Sequence, residues 1–323
     1  MSLPDFFVIG APKAGTTALH AALAPHPQLF LSPVKEPKFF LCDGPPPDRG
    51  GPGDAHSYRE WIWRRDEYER LFDLAPVGSR RGESTPFYLS DVAAQRRIRD
   101  AVPEARLIAV LRDPVDRAYS NWAHLWADGL EPIGDLVSAC EEEPARRAAG
   151  WAPIWRYLET GLYGGQLNHL YRLFPRDQVH VIRYLSLVEE PRATLDAVCR
   201  FLGVEEGVVT EVPPMSVGGY VPPSLTSQVL RAAFRQGAEL GRHFPPQVWR
   251  KASLPLQWLI QRTPRHRPEL APEDRARLIG YFDEDITLVE EETGWDLSTW
   301  RTYRAGGTYS VRRSWAPSRR LVS

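Results

Sequence analysis

Three short stretches of this 323-residue chain carry residue types suited to gripping an anion and helping a group leave it. The first, "GAPKAGTT" at residues 10–17, follows most of the G-x-x-x-x-G-K-[ST] phosphate-loop frame. Gly10, Gly15 and Thr17 fit that frame, but Thr16 fills the lysine slot and Lys13 sits inside the loop. Between a strand and a helix, such a loop wraps backbone N–H groups around an oxyanion, where the helix N-terminus adds partial positive charge. The plainer alternative is a tight turn. The second stretch, "RDPVDRAYSNW", opens with Arg112 and carries Ser120 further on; Arg112 there suits a second phosphate, or else an ion pair with Asp116. The third, "GESTPFY", presents Glu83.

Lysine usage sharpens the first stretch. Of the 40 basic residues only Lys13, Lys35, Lys38 and Lys251 are lysines, and three of these four lie between positions 13 and 38. A general preference for arginine accounts for the scarcity but not for the clustering. A compact ammonium suits a task in this segment that a planar guanidinium does not.

The elements needed to bring these stretches together are strands alternating with helices. "DFFVIG" reads as a buried strand, and "TTALHAALAPH" has apolar residues at helical spacing, stopped by Pro25 and Pro27. Residues 32–56 are rich in Pro and Gly and read as a long surface loop, while "SYREWIWRRDEYERLFDL" looks helical. "RRGEST" is a weaker strand, with a helix starting near Ser90. "ARLIAVLRDP" is the strongest strand in the chain, and Asp113 followed by Pro114 supplies an N-cap and first-turn proline for the next helix. A helix at "GGQLNHLYRLF", the strand "QVHVIRY" and the helix "PRATLDAVCRFLG" continue the pattern. The expected fold is α/β: a three-layer α/β/α arrangement with a P-loop-like turn and a central parallel sheet of about five strands. Ligands of such sheets bind beyond the carboxyl ends of the strands, where all three stretches fall. Helices near 224–240, 246–263 and 272–292 then form a helical extension. The chain is expected to be a single domain over 1–323, with an α/β core at 1–203, the extension at 204–300 and a basic tail at 301–323.

Charge confines the anion site to a local patch. Acidic and basic residues nearly cancel, 41 against 40, so no nucleic-acid or membrane partner is expected. No apolar run reaches spanning length and the N-terminus lacks signal-peptide character, so a cytoplasmic location is expected. Cys42, Cys140 and Cys199 share no metal-ligand spacing and read as free thiols.

Taken in order, "FFVIGAPKAGTTAL", "HPQLFLSPVKEPKFF", "ESTPFYL" and "LIAVLRDPVDRAYSNW" resemble the sulfotransferases that use 3′-phosphoadenosine 5′-phosphosulfate (PAPS), in particular their glycosaminoglycan and related bacterial branch. The resemblance runs from residue 6 to about 203. It implies that Lys13, Ala14, Gly15, Thr16 and Thr17 hold the 5′-phosphosulfate and that Arg112 and Ser120 hold the 3′-phosphate. It accounts for the displaced lysine: this donor has one phosphate joined to a sulfuryl group and needs no bridging metal, so Lys13 can lie beside the oxygen where charge develops. The resemblance also implies Glu83 as the general base, with a proton affinity raised by the apolar Phe87 and Tyr88. A structural ion pair is the alternative role for Glu83. Lys35, next to Glu36 in "KEPKFF", is set toward the sulfuryl group or the acceptor, and Lys38 reads as a solvated surface charge. Tyr163 matches a position at the site rim. No histidine is singled out, and His20 reads as packing.

The sequence departs from the glycosaminoglycan enzymes in lacking their late Cys-flanked Lys-Gly-Arg loop. "SVGGYVPPS" resembles the loop of bacterial relatives, with Gly218, Gly219 and Tyr220 as nucleotide contacts. The expected activity is sulfuryl transfer from PAPS to a hydroxyl or amine of a small molecule, natural product or glycan, yielding 3′-phosphoadenosine 5′-phosphate (PAP). A role in bacterial secondary metabolism fits the composition, and a homo-oligomer is left open. Two rivals stand beside this reading: a nucleotide or small-molecule kinase with a degenerate Walker loop, and a nucleotide-binding protein without catalysis.

Overall fold

Short runs of buried Val, Ile, Leu and Phe build the middle of the sheet. In this computed structural model, which describes residues 3–213 and 269–302, five strands lie parallel in the order β2-β3-β1-β4-β5. They are β1 (Phe6–Gly10), β2 (Leu29–Leu31), β3 (Arg80–Ser84), β4 (Arg106–Leu111) and β5 (Val179–Arg183). β1 is central and buried at all five positions, as a parallel strand covered on both faces must be. Gly82 is required beside it, because a Cβ there would fall 2.1 Å from the Phe6 ring.

Helices cover the sheet. In chain order they are α1 (Thr16–Leu23), α2 (Asp54–Tyr58), α3 (Arg65–Arg70), α4 (Val92–Ala101), α5 (Pro114–Ala127), α6 (Leu136–Glu141), α7 (Glu143–Ala148), α8 (Tyr163–Leu173), α9 (Tyr184–Glu189) and α10 (Pro191–Leu202). After residue 268 come α11 (Pro272–Ile279), α12 (Asp283–Thr293) and α13 (Ser298–Arg301). The expected α/β/α fold and five-stranded parallel sheet are present. α5 begins as the sequence predicts: Asp113 accepts N–H bonds from Val115 and Asp116, and Pro114 occupies the first turn.

The structure corrects several sequence readings. β2 is a strand the patterning missed. The helix expected over "SYREWIWRRDEYERLFDL" is two short helices, α2 and α3, and the one expected at 272–292 is split into α11 and α12. The Pro/Gly-rich loop is tied down through Asp54, whose carboxylate accepts from the N–H groups of Gly51 (2.6 Å) and Ala152 (2.9 Å) and from Trp155 Nε1 (2.9 Å). The expected helices near 224–240 and 246–263, the Gly218–Gly219–Tyr220 contacts and the tail from 303 lie outside the described residues.

The segment 269–302 packs into the same apolar core as the sheet, through Leu278, Phe282, Ile286, Val289 and Trp300. It also caps α8: the Asp285 carboxylate accepts from the N–H groups of Gly164 (2.8 Å) and Gly165 (2.9 Å). No described helix is long and apolar enough to cross a membrane.

Candidate active site

The carboxyl ends of β1, β3 and β4 bring the motif residues together. β1 leads directly into the loop at 11–15, where Lys13 (φ 65°) and Gly15 (φ 91°) both adopt the left-handed conformation. Alternation of this kind turns backbone N–H groups toward a common concavity suited to an anion. Gly15 is the N-cap of α1, yet it supplies no side-chain cap and the first turn holds no acid. The orphan N–H groups at the start of α1 are therefore left for an external acceptor. Thr16 is buried and Thr17 exposed, Ala14 is buried, and Lys13 is half-buried.

Arg112 closes this loop from the β4 side. Its Nη1 donates to the Lys13 carbonyl at 3.2 Å, and its guanidinium lies 4.7 Å from the Tyr184 ring centre. The pairing with Asp116 considered from sequence does not form; Asp116 binds Arg275 instead. Ser120 is half-buried on α5. One turn further along the same face, the exposed His124 lies 3.7 Å from the Asp128 carboxylate and in the field of both Lys13 and Glu36. Sequence reasoning passed over His124. Its spacing of four residues from Ser120 was the available signal.

From the β3 side, the segment "KEPKFF" folds over the strand end. Glu36 N–H donates to the Ser84 carbonyl at 3.0 Å, and Lys38 N–H donates to Thr85 Oγ1 at 3.3 Å. Glu36 and Lys38 are both left-handed, with φ of 60° and 62°. This turn brings Lys35 Nζ to 2.5 Å from Glu36 Oε1, both side chains keeping some solvent contact. Beneath them His20 shares a hydrogen bond with Ser84 Oγ at 2.8 Å. Burial, then the Lys35 charge, lowers the His20 proton affinity to about 4, with Glu36 opposing, so the ring is neutral at pH 7.

Lys38 is not the solvated charge expected from sequence. It is half-buried, 5.6 Å from the Trp61 ring centre, with Nζ 3.4 Å from Ser57 Oγ, and burial lowers its proton affinity. Glu83 also differs from expectation. It has no exposed surface, and neither carboxylate oxygen is within hydrogen-bonding geometry of a partner, although the hydroxyls of Tyr88, Tyr68 and Thr85 are its polar neighbours. Burial raises its proton affinity to about 8, only partly offset by those hydroxyls, so it holds its proton at neutral pH. Glu83 thus lies buried behind the strand end, whereas Lys35 and Glu36 keep some solvent contact. Tyr163 is likewise buried rather than at a rim; it starts α8 and packs edge-on to Trp300.

The site therefore gathers Lys13, Lys35, Glu36, Arg112 and His124 around one loop, with His20 and Glu83 beneath and Ser120 one turn before His124 on α5. A separate polar cleft of about 610 Å³, lined in part by Asp5, Arg80 and Arg81, lies at the opposite, amino-terminal edge of the sheet. It contains none of these groups.

Comparison with known proteins bears on the same region. Residues 50–207 match the model of the sulfotransferase family. The chain is 28% identical over 217 residues to the bovine bifunctional heparan sulfate N-deacetylase/N-sulfotransferase 2, covering 62% of this chain and 22% of that protein. It is 31% identical over 211 residues to the human heparan sulfate glucosamine 3-O-sulfotransferase 3B1, covering 65% of this chain and 48% of that protein. It thus spans between about a fifth and about half of the length of these curated relatives. Among solved structures, a sulfotransferase from Alicyclobacillus acidocaldarius superposes with a TM-score of 0.71 at 29% identity, covering 94% of this chain and all of that one.

Proposed function

Because this chain belongs to the sulfotransferase family, we propose that it moves a sulfuryl group from PAPS to a hydroxyl or amine of a small-molecule or glycan acceptor. The observation that carries the reading is the uncapped, acid-free start of α1 joined to Lys13 and closed by Arg112, a cradle for two separated anionic groups. The loop N–H groups from Ala14 to Thr17 and the Lys13 ammonium hold the 5′ side, while Arg112 and Ser120 hold the 3′-phosphate. The donor supplies an activated sulfuryl group and leaves as PAP.

Within this scheme Lys13 balances charge developing on the departing phosphate. Lys35 orients the Glu36 carboxylate and adds positive charge beside the transferred group. Glu36 takes the acceptor proton: its carboxylate keeps solvent contact beside Lys35, and its charge reaches both His124 and His20. His124, across from it on α5, orients the acceptor. Glu83 serves as a buried acid that sets the packing of the β3 end.

Calorimetric titration tests the donor assignment, comparing PAP with ADP and ATP, each with and without Mg²⁺. Tight metal-independent binding of PAP alone is the expected result. Preference for ATP with Mg²⁺ would overturn the reading in favour of a kinase.

A further inference from the structure

Resting on the donor assignment above, we propose that Arg275 is a positioning residue for the donor site: it holds Asp113 and Asp116 away from Arg112 and so keeps that guanidinium open to the 3′-phosphate. The sequence places two acids beside Arg112, one immediately after it and one in the first turn of α5. Either would neutralise an arginine at a strand-to-helix junction and cancel its use for an anion. Neither does so here.

Arg275 arrives from α11, 159 residues further along the chain than Asp116. Its Nη1 donates to Asp116 Oδ1 at 2.7 Å, and its Nη2 donates to Asp113 Oδ2. The other Asp113 oxygen is already engaged by the N–H groups of Val115 (2.9 Å) and Asp116 (3.1 Å). Arg112 is left with the Lys13 carbonyl and the Tyr184 ring, and has no acidic partner among the described residues. Asp113 and Arg275 are buried, 6% and 9% exposed, while the Asp116 side chain keeps 26% of its surface, so water screens the loss of the Asp113 arm least.

Removing Arg275 leaves two adjacent carboxylates without their cation. Tyr163 lies in the field of Arg117, Asp113 and Arg112 together, so the cations to which these acids would turn are close by. Asp116, Ser120 and His124 also share one face of α5 at four-residue spacing. A freed Asp116 therefore sets a negative charge one turn from Ser120, where the 3′-phosphate is proposed to bind.

The test compares the affinity of the full chain for PAP and for adenosine 5′-phosphate, which lacks the 3′-phosphate. Arg275→Gln is expected to lower the ratio of the two affinities about tenfold, with adenosine 5′-phosphate binding nearly unchanged. Adding Asp116→Asn to Arg275→Gln should restore much of the ratio, because the quenching carboxylate is gone. A merely structural role would weaken both nucleotides together and show no such rescue; that result, or an unchanged ratio, overturns the proposal. If Arg275→Gln does not fold, Arg275→Lys gives the same reading: an intermediate ratio supports the role and a wild-type ratio overturns it. Wild-type protein that does not prefer PAP would instead overturn the donor assignment, and this inference with it.

Discussion

At the residue scale, the displaced lysine and the choice between two glutamates make separable predictions. In the proposed scheme Lys13 balances charge on the leaving phosphate, so Lys13→Ala should lower kcat on the order of 10²- to 10³-fold, as loss of an oxyanion donor does, with a smaller change in PAP affinity. Single-turnover transfer from PAPS measures this directly. Glu36→Gln should lower turnover by roughly 10²-fold or more, in the range for loss of a general base. Glu83→Gln should leave turnover within a few-fold, because the wild-type side chain is already neutral and out of contact with solvent. The reverse pattern would return the base to Glu83. The spacing of Gly10, Lys13, Gly15 and Thr17 made the loop between β1 and α1 legible in sequence. The relative depth of Glu36 and Glu83 was not, because it depends on the left-handed turn at 36–38, which no local composition announces.

At the element scale, what could be read from sequence follows burial. β1 and β4 are largely runs of Val, Ile, Leu and Phe, β5 alternates apolar and polar residues, and each forms where the pattern places it. β2 has only three residues and is held by pairing with β3, so it carries too little local signal to be seen alone. The single helix expected across "SYREWIWRRDEYERLFDL" breaks because Tyr58 and Trp61 turn inward to stack edge-on, and Ile62 N–H is taken by the Pro37 carbonyl. Long-range contacts also decide how the 269–302 segment meets the core. Gly164 permits the close crossing of α8 and α12, since a Cβ there would lie 2.5 Å from Leu288 Cβ and 2.6 Å from the Asp285 carbonyl oxygen. Gly164→Ala should therefore destabilise the fold by about 1–3 kcal/mol, the usual cost of overpacking, despite alanine's better helix propensity. Chemical denaturation would measure it, and a neutral or stabilising effect would show that the two helices slide apart freely.

At the scale of the whole molecule, two groups buried in their neutral forms give stability a pH dependence of predictable sign. Glu83 binds its proton up to about pH 8 when folded, against 4.5 for an ordinary glutamate, so the folded state holds more protons than the unfolded one between these values. This contribution is fully present below pH 4.5 and is lost as pH rises toward 8. His20 acts oppositely: its folded value of about 4 lies below the ordinary 6.5, so its contribution is present above 6.5 and is lost as pH falls toward 4. Between 4.5 and 6.5 the two slopes oppose each other, and above 6.5 the Glu83 slope stands without that opposition. One proton of difference corresponds to about 1.4 kcal/mol per pH unit, so Glu83 should lower stability by at most about 2 kcal/mol between pH 6.5 and 8. Glu83→Gln removes the titrating group while keeping a neutral side chain of similar shape. Its advantage over wild type in denaturant titrations should therefore grow as pH rises across that window. A difference between the two proteins that stays constant from pH 6.5 to 8 would mean that Glu83 is already ionised in the fold, and the case for Glu36 as the acceptor's base would lose its main contrast.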